Sequence, residues 1–100
     1  MDNLTETEKE FFKACENGNL EKVKTLIKQG VNINRQNFRS YNSTALMEAC
    51  LYNQKEVVKE LLKNGADLSR KNKQNKTALD IAREKGHTNL IGVLEKYRNL

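Results

Sequence analysis

The sequence predicts an all-α repeat solenoid, three helix–turn–helix units stacked side by side. The first observation behind this is self-similarity. Cys15 and Cys50 stand 35 positions apart, and so do Phe11 and Leu46, Ala14 and Ala49, Val23 and Val58, and Leu26 and Leu61. From the second unit to the third the offset is 33, as in Leu46 and Leu79, Ala49 and Ala82, or Leu61 and Leu94. A fixed period in this range is the mark of a repeat architecture. The second observation is spacing: Leu46, Ala49 and Cys50, then Val57, Val58, Leu61 and Leu62, each draw one apolar stripe on a short helix. The third is punctuation, because the turn and cap residues recur with the same offsets.

Taken in chain order, unit 1 begins at a threonine. Alignment on the later units starts its first helix near Lys9, but Thr5-Glu6-Thr7-Glu8 fits a capping box and starts it about one turn earlier. The helix runs through Phe11, Phe12, Ala14 and Cys15 to Gly18, and a second carries Val23, Leu26 and Ile27 to Gly30. Unit 2 opens on Thr44 and turns at Asn53, and its second helix ends at Gly65. Unit 3 opens on Thr77, with Asp80 as the acid of a second capping box, and turns at Gly86. Gly and Asn enter the left-handed conformation that ends many helices more readily than other residues. None of these helices is much longer than about ten residues, so none would persist alone in water. Their stability must come from packing.

Composition agrees. The 100 residues are 37% hydrophobic and 31% charged, which implies a thin core and a large wet surface. No apolar run approaches the roughly 18 residues of a membrane span. The N-terminus, Met1-Asp2-Asn3-Leu4-Thr5-Glu6, lacks the basic stretch and apolar core of a secretory signal. A cytoplasmic protein is expected, with delivery into another cell left open. The net charge of +5 is uneven: residues 1–50 balance seven basic against seven acidic side chains, and residues 51–100 hold eleven against six.

The residues Thr44-Ala45-Leu46, Ala49-Cys50, Asn53, Val57-Val58, Leu61-Leu62 and Gly65-Ala66-Asp67 resemble the ankyrin repeat. That family's pattern runs Thr-Pro-Leu-His-x-Ala-Ala, then Gly-His, then Leu-Leu-x-x-Gly-Ala-Asp. Unit 3 keeps Lys76-Thr77-Ala78-Leu79, Ala82 and Gly86-His87. Ala45 and Ala78 stand in place of the family's proline, Met47 and Asp80 in place of its histidine, and Asn75 in place of a hairpin glycine. The resemblance covers about residues 5 to 98 and implies one domain over 1–100, with repeats at about 5–36, 37–71 and 72–100. It implies β-hairpin fingers projecting between repeats, at about 32–43 and 67–76, the first longer by two residues. Glu8, Lys9, Lys13 and Glu16 at one end, and Glu95, Lys96 and Arg98 at the other, suit polar end faces, so a complete small protein is expected.

The family binds protein partners on a concave face of finger tips and first helices. Carried over by position, that face takes Glu16 and Asn17 from repeat 1 and Gln36, Phe38, Arg39 and Tyr41 from the first finger. Repeat 2 adds Leu51 and Tyr52, the second finger Lys71, Lys73, Gln74 and Lys76, and repeat 3 Glu84 and Lys85. Phe38 or Tyr41 could fold back to cover apolar surface. Alternatively they stand on the open face near Tyr52, where aromatics and Arg dominate interface energetics. The second reading is adopted, because a hydrophilic chain has little reason to lengthen a finger merely to carry aromatics. The finger Arg70-Lys71-Asn72-Lys73-Gln74-Asn75-Lys76 holds four positive charges and no acid, and would steer an acidic partner.

Chemistry is sparse. Structural zinc sites need about four Cys or His ligands, and the chain has Cys15, Cys50 and His87. Equivalent slots on neighbouring helices lie about 8–10 Å apart, too far for a disulfide, so two free buried thiols are expected. His87 is expected to make a local hydrogen bond. No nucleophile–base pair, phosphate loop or metal cluster is apparent, so no enzymatic activity and no cofactor are expected. The function read is protein–protein interaction by a monomer, as adaptor, scaffold or inhibitor, without a membrane. The alternatives are a nucleic acid or other polyanion on Arg70–Lys76, and a self-associating structural module.

Overall fold

The threonines cap as their spacing predicts. In this computed structural model, which describes residues 3–99, the Thr5 hydroxyl accepts from the Glu8 N–H at 3.0 Å. Glu8 returns the bond by accepting from the Thr5 N–H at 2.9 Å, and α1 runs Glu6–Asn17, a turn before Lys9. Thr77 and Asp80 repeat this reciprocal cap at the head of α5 (Ala78–Glu84). At α3 (Ala45–Leu51) the Thr44 hydroxyl caps Met47, and the Met47 thioether occupies the place of the missing acid, 3.4 Å from the Thr44 N–H. Met1, Asp2 and Leu100, on which the reading of both chain ends touched, lie outside the described residues.

The second helices are α2 (Leu20–Lys28), α4 (Lys55–Lys63) and α6 (Thr88–Arg98). The turns before them pass through Gly18, Asn53 and Gly86, all at positive φ. Each pair closes on itself, and the pairs stack in two layers: α1 on α3 on α5, and α2 on α4 on α6. The apolar stripes meet between the layers. Cys15, Ala49, Cys50, Val58, Leu61, Ala82, Leu90 and Leu94 are fully buried there. Among the described residues no helix is long and apolar enough to cross a membrane.

The fingers need one correction. Residues 32–43 and 67–76 form loops, but neither carries a β-ladder. The first holds a single antiparallel bridge, Asn37 with Ser43, where the Asn37 N–H donates to the Ser43 carbonyl at 2.7 Å. The second closes with the Asn72 N–H donating to Lys76 at 3.0 Å. Asparagine side chains take over the partners a ladder would use. Asn37 Oδ1 accepts from the Arg39 N–H, and Asn72 Oδ1 accepts from the N–H groups of both Gln74 and Lys76.

Polar side chains also staple one repeat to the next. Gln54 Nε2 donates to the Glu16 carbonyl and His87 Nδ1 to the Cys50 carbonyl, both at 2.9 Å. His87 therefore bonds across repeats, not locally as expected, because the turn after α5 lies against the end of α3. A carbonyl only accepts, so the bond selects the Nδ1–H tautomer. The Asp67 N–H donates to Asn34 Oδ1 at 2.8 Å.

Gly18 shows how tight the first staple is. Its φ is +72°, and a Cβ there would fall 2.4 Å from Gln54 Oε1, whereas at Gly86, φ +69°, nothing lies within 4 Å. Both Gly18→Ala and Gly86→Ala should lose about 1–2 kcal/mol to the left-handed conformation. Gly18→Ala should lose about 1 kcal/mol more, because Gln54 must swing away and break its bond to Glu16. Urea unfolding of the two variants measures the difference, and equal losses would argue against the staple.

Candidate interaction surface

The first finger is built around a strained tip. Tyr41 and Asn42 have φ of +52° and +61°, and the Ser43 N–H donates to the Ser40 carbonyl at 2.9 Å. Positive φ at both central residues is the signature of a type I′ turn. Asn tolerates it; Tyr does so at a cost of order 1 kcal/mol. The turn leaves the Tyr41 ring 64% exposed. Phe38 is 41% exposed, and the Arg39 guanidinium lies 5.7 Å from its ring centre, within cation–π range.

A buried carboxylate latches this finger to the stack. Ser40 Oγ donates at 3.0 Å to Glu48, which is only 7% exposed. This pair was not anticipated. Its one signal in the sequence is an acid at Glu48 where the next repeat has Ile81. Beside the finger, a groove of about 310 Å³ is lined by Leu4, Lys9, Phe12, Lys13 and Glu16 on one side and Asn37 and Arg39 on the other.

The remaining expected residues divide. Asn17 ends α1, exposed, and half-buried Glu16 lends its carbonyl to Gln54. Half-buried Leu51 packs against the core, and exposed Tyr52 caps the end of α3 remote from the finger, about 10 Å along a seven-residue helix. Gln36 is half-buried and works within the fold: its amide donates to the Asn42 and Lys71 carbonyls and accepts from Arg70. The Lys73 N–H donates to the Tyr41 carbonyl at 2.8 Å, so the fingers are hydrogen-bonded to each other.

The second finger is less positive than its sequence reads. Arg70 pairs with Asp67 at 3.2 Å and Lys76 pairs with Glu84, which leaves the ammonium groups of Lys71 and Lys73 as its unpaired charges among the described residues. The bond from Lys76 holds the Glu84 carboxyl below its ordinary range, and bonds from the Ser69 hydroxyl and N–H do the same for Asp67. Gln74 and Lys85 are exposed. Among the described residues no group of three His, Cys, Asp or Glu side chains is arranged to hold a metal ion.

Helix pairs with a left-handed turn repeat three times in two layers, joined by two interlocked fingers. The family model for ankyrin repeats, in three copies, matches residues 11–99. The chain belongs to the ankyrin repeat family. Ankyrin repeats are in general protein–protein interaction modules and typically non-catalytic. Among curated proteins, none matches this ankyrin chain.

The repeated slot of the ankyrin stack holds both cysteines, free and buried. Burial pushes both thiols up to about 12 from 9.0, with the Glu48 charge adding to the rise at Cys15. Folded thiols stay protonated where unfolded ones ionise, so their contribution to stability is complete below pH 9 and is lost as pH rises from 9 towards 12. The melting temperature should fall over that window, and fall less in the Cys15→Ala/Cys50→Ala variant. Neither thiol should react with a disulfide reagent at pH 8 until the protein is unfolded. A separate test concerns the finger tip: Tyr41→Asn should raise the melting temperature by relieving about 1 kcal/mol of strain. A lower one would mean the Tyr41 ring contributes packing.

Proposed function

We propose that this ankyrin protein is a non-catalytic adaptor, scaffold or inhibitor that grips a protein partner with the first finger and the exposed side of the first helices. The observation that carries the reading is where apolar surface stays wet. Among the described residues the exposed large hydrophobics are Phe38, Tyr41 and Tyr52, and all three belong to the first finger or the end of α3. Arg39, 5.7 Å from the Phe38 ring centre, adds another of the residue types enriched in interface hot spots.

The rigidity of the finger supports the same reading. Its tip is bonded to α3 through Ser40 and Glu48 and to the second finger through Tyr41 and Lys73. A loop backbone already held loses little freedom on binding. A tyrosine held in a left-handed turn at an exposed tip is a local cost, the pattern strain shows at recognition sites. Lys71 and Lys73 would steer an acidic patch of the partner. Two unpaired charges are too few for substantial polyanion affinity, which argues against nucleic acid on this finger.

Affinity capture from the source lysate, with the native chain against a Phe38→Ala/Tyr52→Ala variant, should retain a specific protein in the first case only. Each single substitution should then weaken that purified partner by at least about 1 kcal/mol, roughly fivefold. Undiminished affinity in both would remove these residues from the interface.

A further inference from the structure

We propose that the layer of second helices carries a second docking surface, a groove that takes an acidic amphipathic helix. This goes beyond the finger-side reading and does not depend on it. The charge distribution comes first. The ranges of α2, α4 and α6 hold eight basic residues against four acidic ones, a net of +4 out of the chain's +5. These helices form the layer opposite α1, α3 and α5, so that layer is strongly basic, while the second finger (67–76) carries a further +3 and α1 is net negative.

The groove comes second. A depression of about 360 Å³ crosses α4, with walls from α2 and α6. Leu20 on α2 and Val93 and Tyr97 on α6 line it, each half-buried, so apolar surface remains open between the helices. Lys24, Lys63 and Lys96 stand around it, and among the described residues no carboxylate lies within 4 Å of their ammonium groups. Lys59 is held at 3.8 Å by Glu56, an exposed pair that a partner's carboxylate could exchange at little cost.

These features select the occupant. Apolar walls set below charged rims match a helix with apolar residues at i, i+3, i+4 and i+7 and acids on its flanks. Glu56 and Glu60 line the same groove and would repel the continuous negative charge of a nucleic acid or a lipid surface. A flat bilayer would also meet the lysines before it reached Leu20 or Val93, which lie half-buried between helices. A helix about 10 Å across can insert its side chains there.

The probe is a fluorescein-labelled peptide of about 14 residues, four helical turns, with leucines on one face and glutamates beside them. Bound to the isotope-labelled full chain, it should shift amide resonances of α2, α4 and α6 and leave those of the fingers in place. Lys63→Glu/Lys96→Glu should weaken it about tenfold or more, as should replacing the peptide's leucines by alanine. Lys71→Glu/Lys73→Glu on the second finger should change nothing. Lys63→Gln/Lys96→Gln gives a milder check, and a thermal melt establishes that each variant is folded. No binding, binding that survives the charge reversal, shifts on the fingers, or tighter binding to phosphatidylserine vesicles or RNA than to the peptide would each overturn the proposal. Failure here leaves the finger surface untouched, because its residues lie outside the groove.

Discussion

No helix of this protein can cover its own apolar stripe. The inner helices α3 and α5 are seven residues long, and an isolated helix shorter than about 12–15 residues is marginal in water. Burial between neighbours is therefore the condition on which all else rests. It explains why the fully buried residues, among them Cys15, Cys50, Leu61 and Leu94, occupy equivalent slots in successive repeats. It also explains why small residues recur at Ala49 and Ala82: they let the inner helices approach.

Apolar burial is not directional, and a stack held by it alone could slide. The polar staples set the register. Gln54 reaches the end of α1, His87 reaches the end of α3, and Asn34 holds the backbone of Asp67. Gln54 and Asn34 bond backbone groups at a helix end and in a loop, and His87 adds a bond to the Cys50 carbonyl, which also accepts from the Asn53 N–H at 3.3 Å. Through Gln36, Tyr41 and Lys73 the same logic extends to the fingers, which are ordered by each other as much as by their own turns. The surface offered to a partner is therefore a property of neighbouring repeats, not of one loop.

Electrostatics separates the two broad faces. On the finger side, positive charges are drawn into pairs with Asp67 and Glu84. On the side of the second helices, Lys24, Lys63 and Lys96 have no carboxylate partner among the described residues and stand beside half-buried Leu20, Val93 and Tyr97. One small chain thus presents an aromatic face and a basic one, back to back, and the stack keeps them apart at a fixed distance.

Much of this was legible in the amino-acid order. Helix starts at Thr5, Thr44 and Thr77, the left-handed turns at Gly18, Asn53 and Gly86, and the apolar stripes are local or periodic features, determined by residues within a turn or two of each other. The exposure of Phe38 and Tyr41 was legible in a hydrophilic chain that lengthens one finger to carry them. Contacts between side chains distant in sequence were not legible. Nothing in the run Arg70–Lys76 says that Glu84 neutralises Lys76, that Gln36 is consumed by the neighbouring finger, or that Glu48 lies buried beneath Ser40. Nor does the order of lysines show that α2, α4 and α6 gather them around one groove. Local hydrogen bonds and periodic burial are encoded within a few residues of chain. Charge pairing and surface shape depend on which repeats become neighbours, and only the stacked structure decides that.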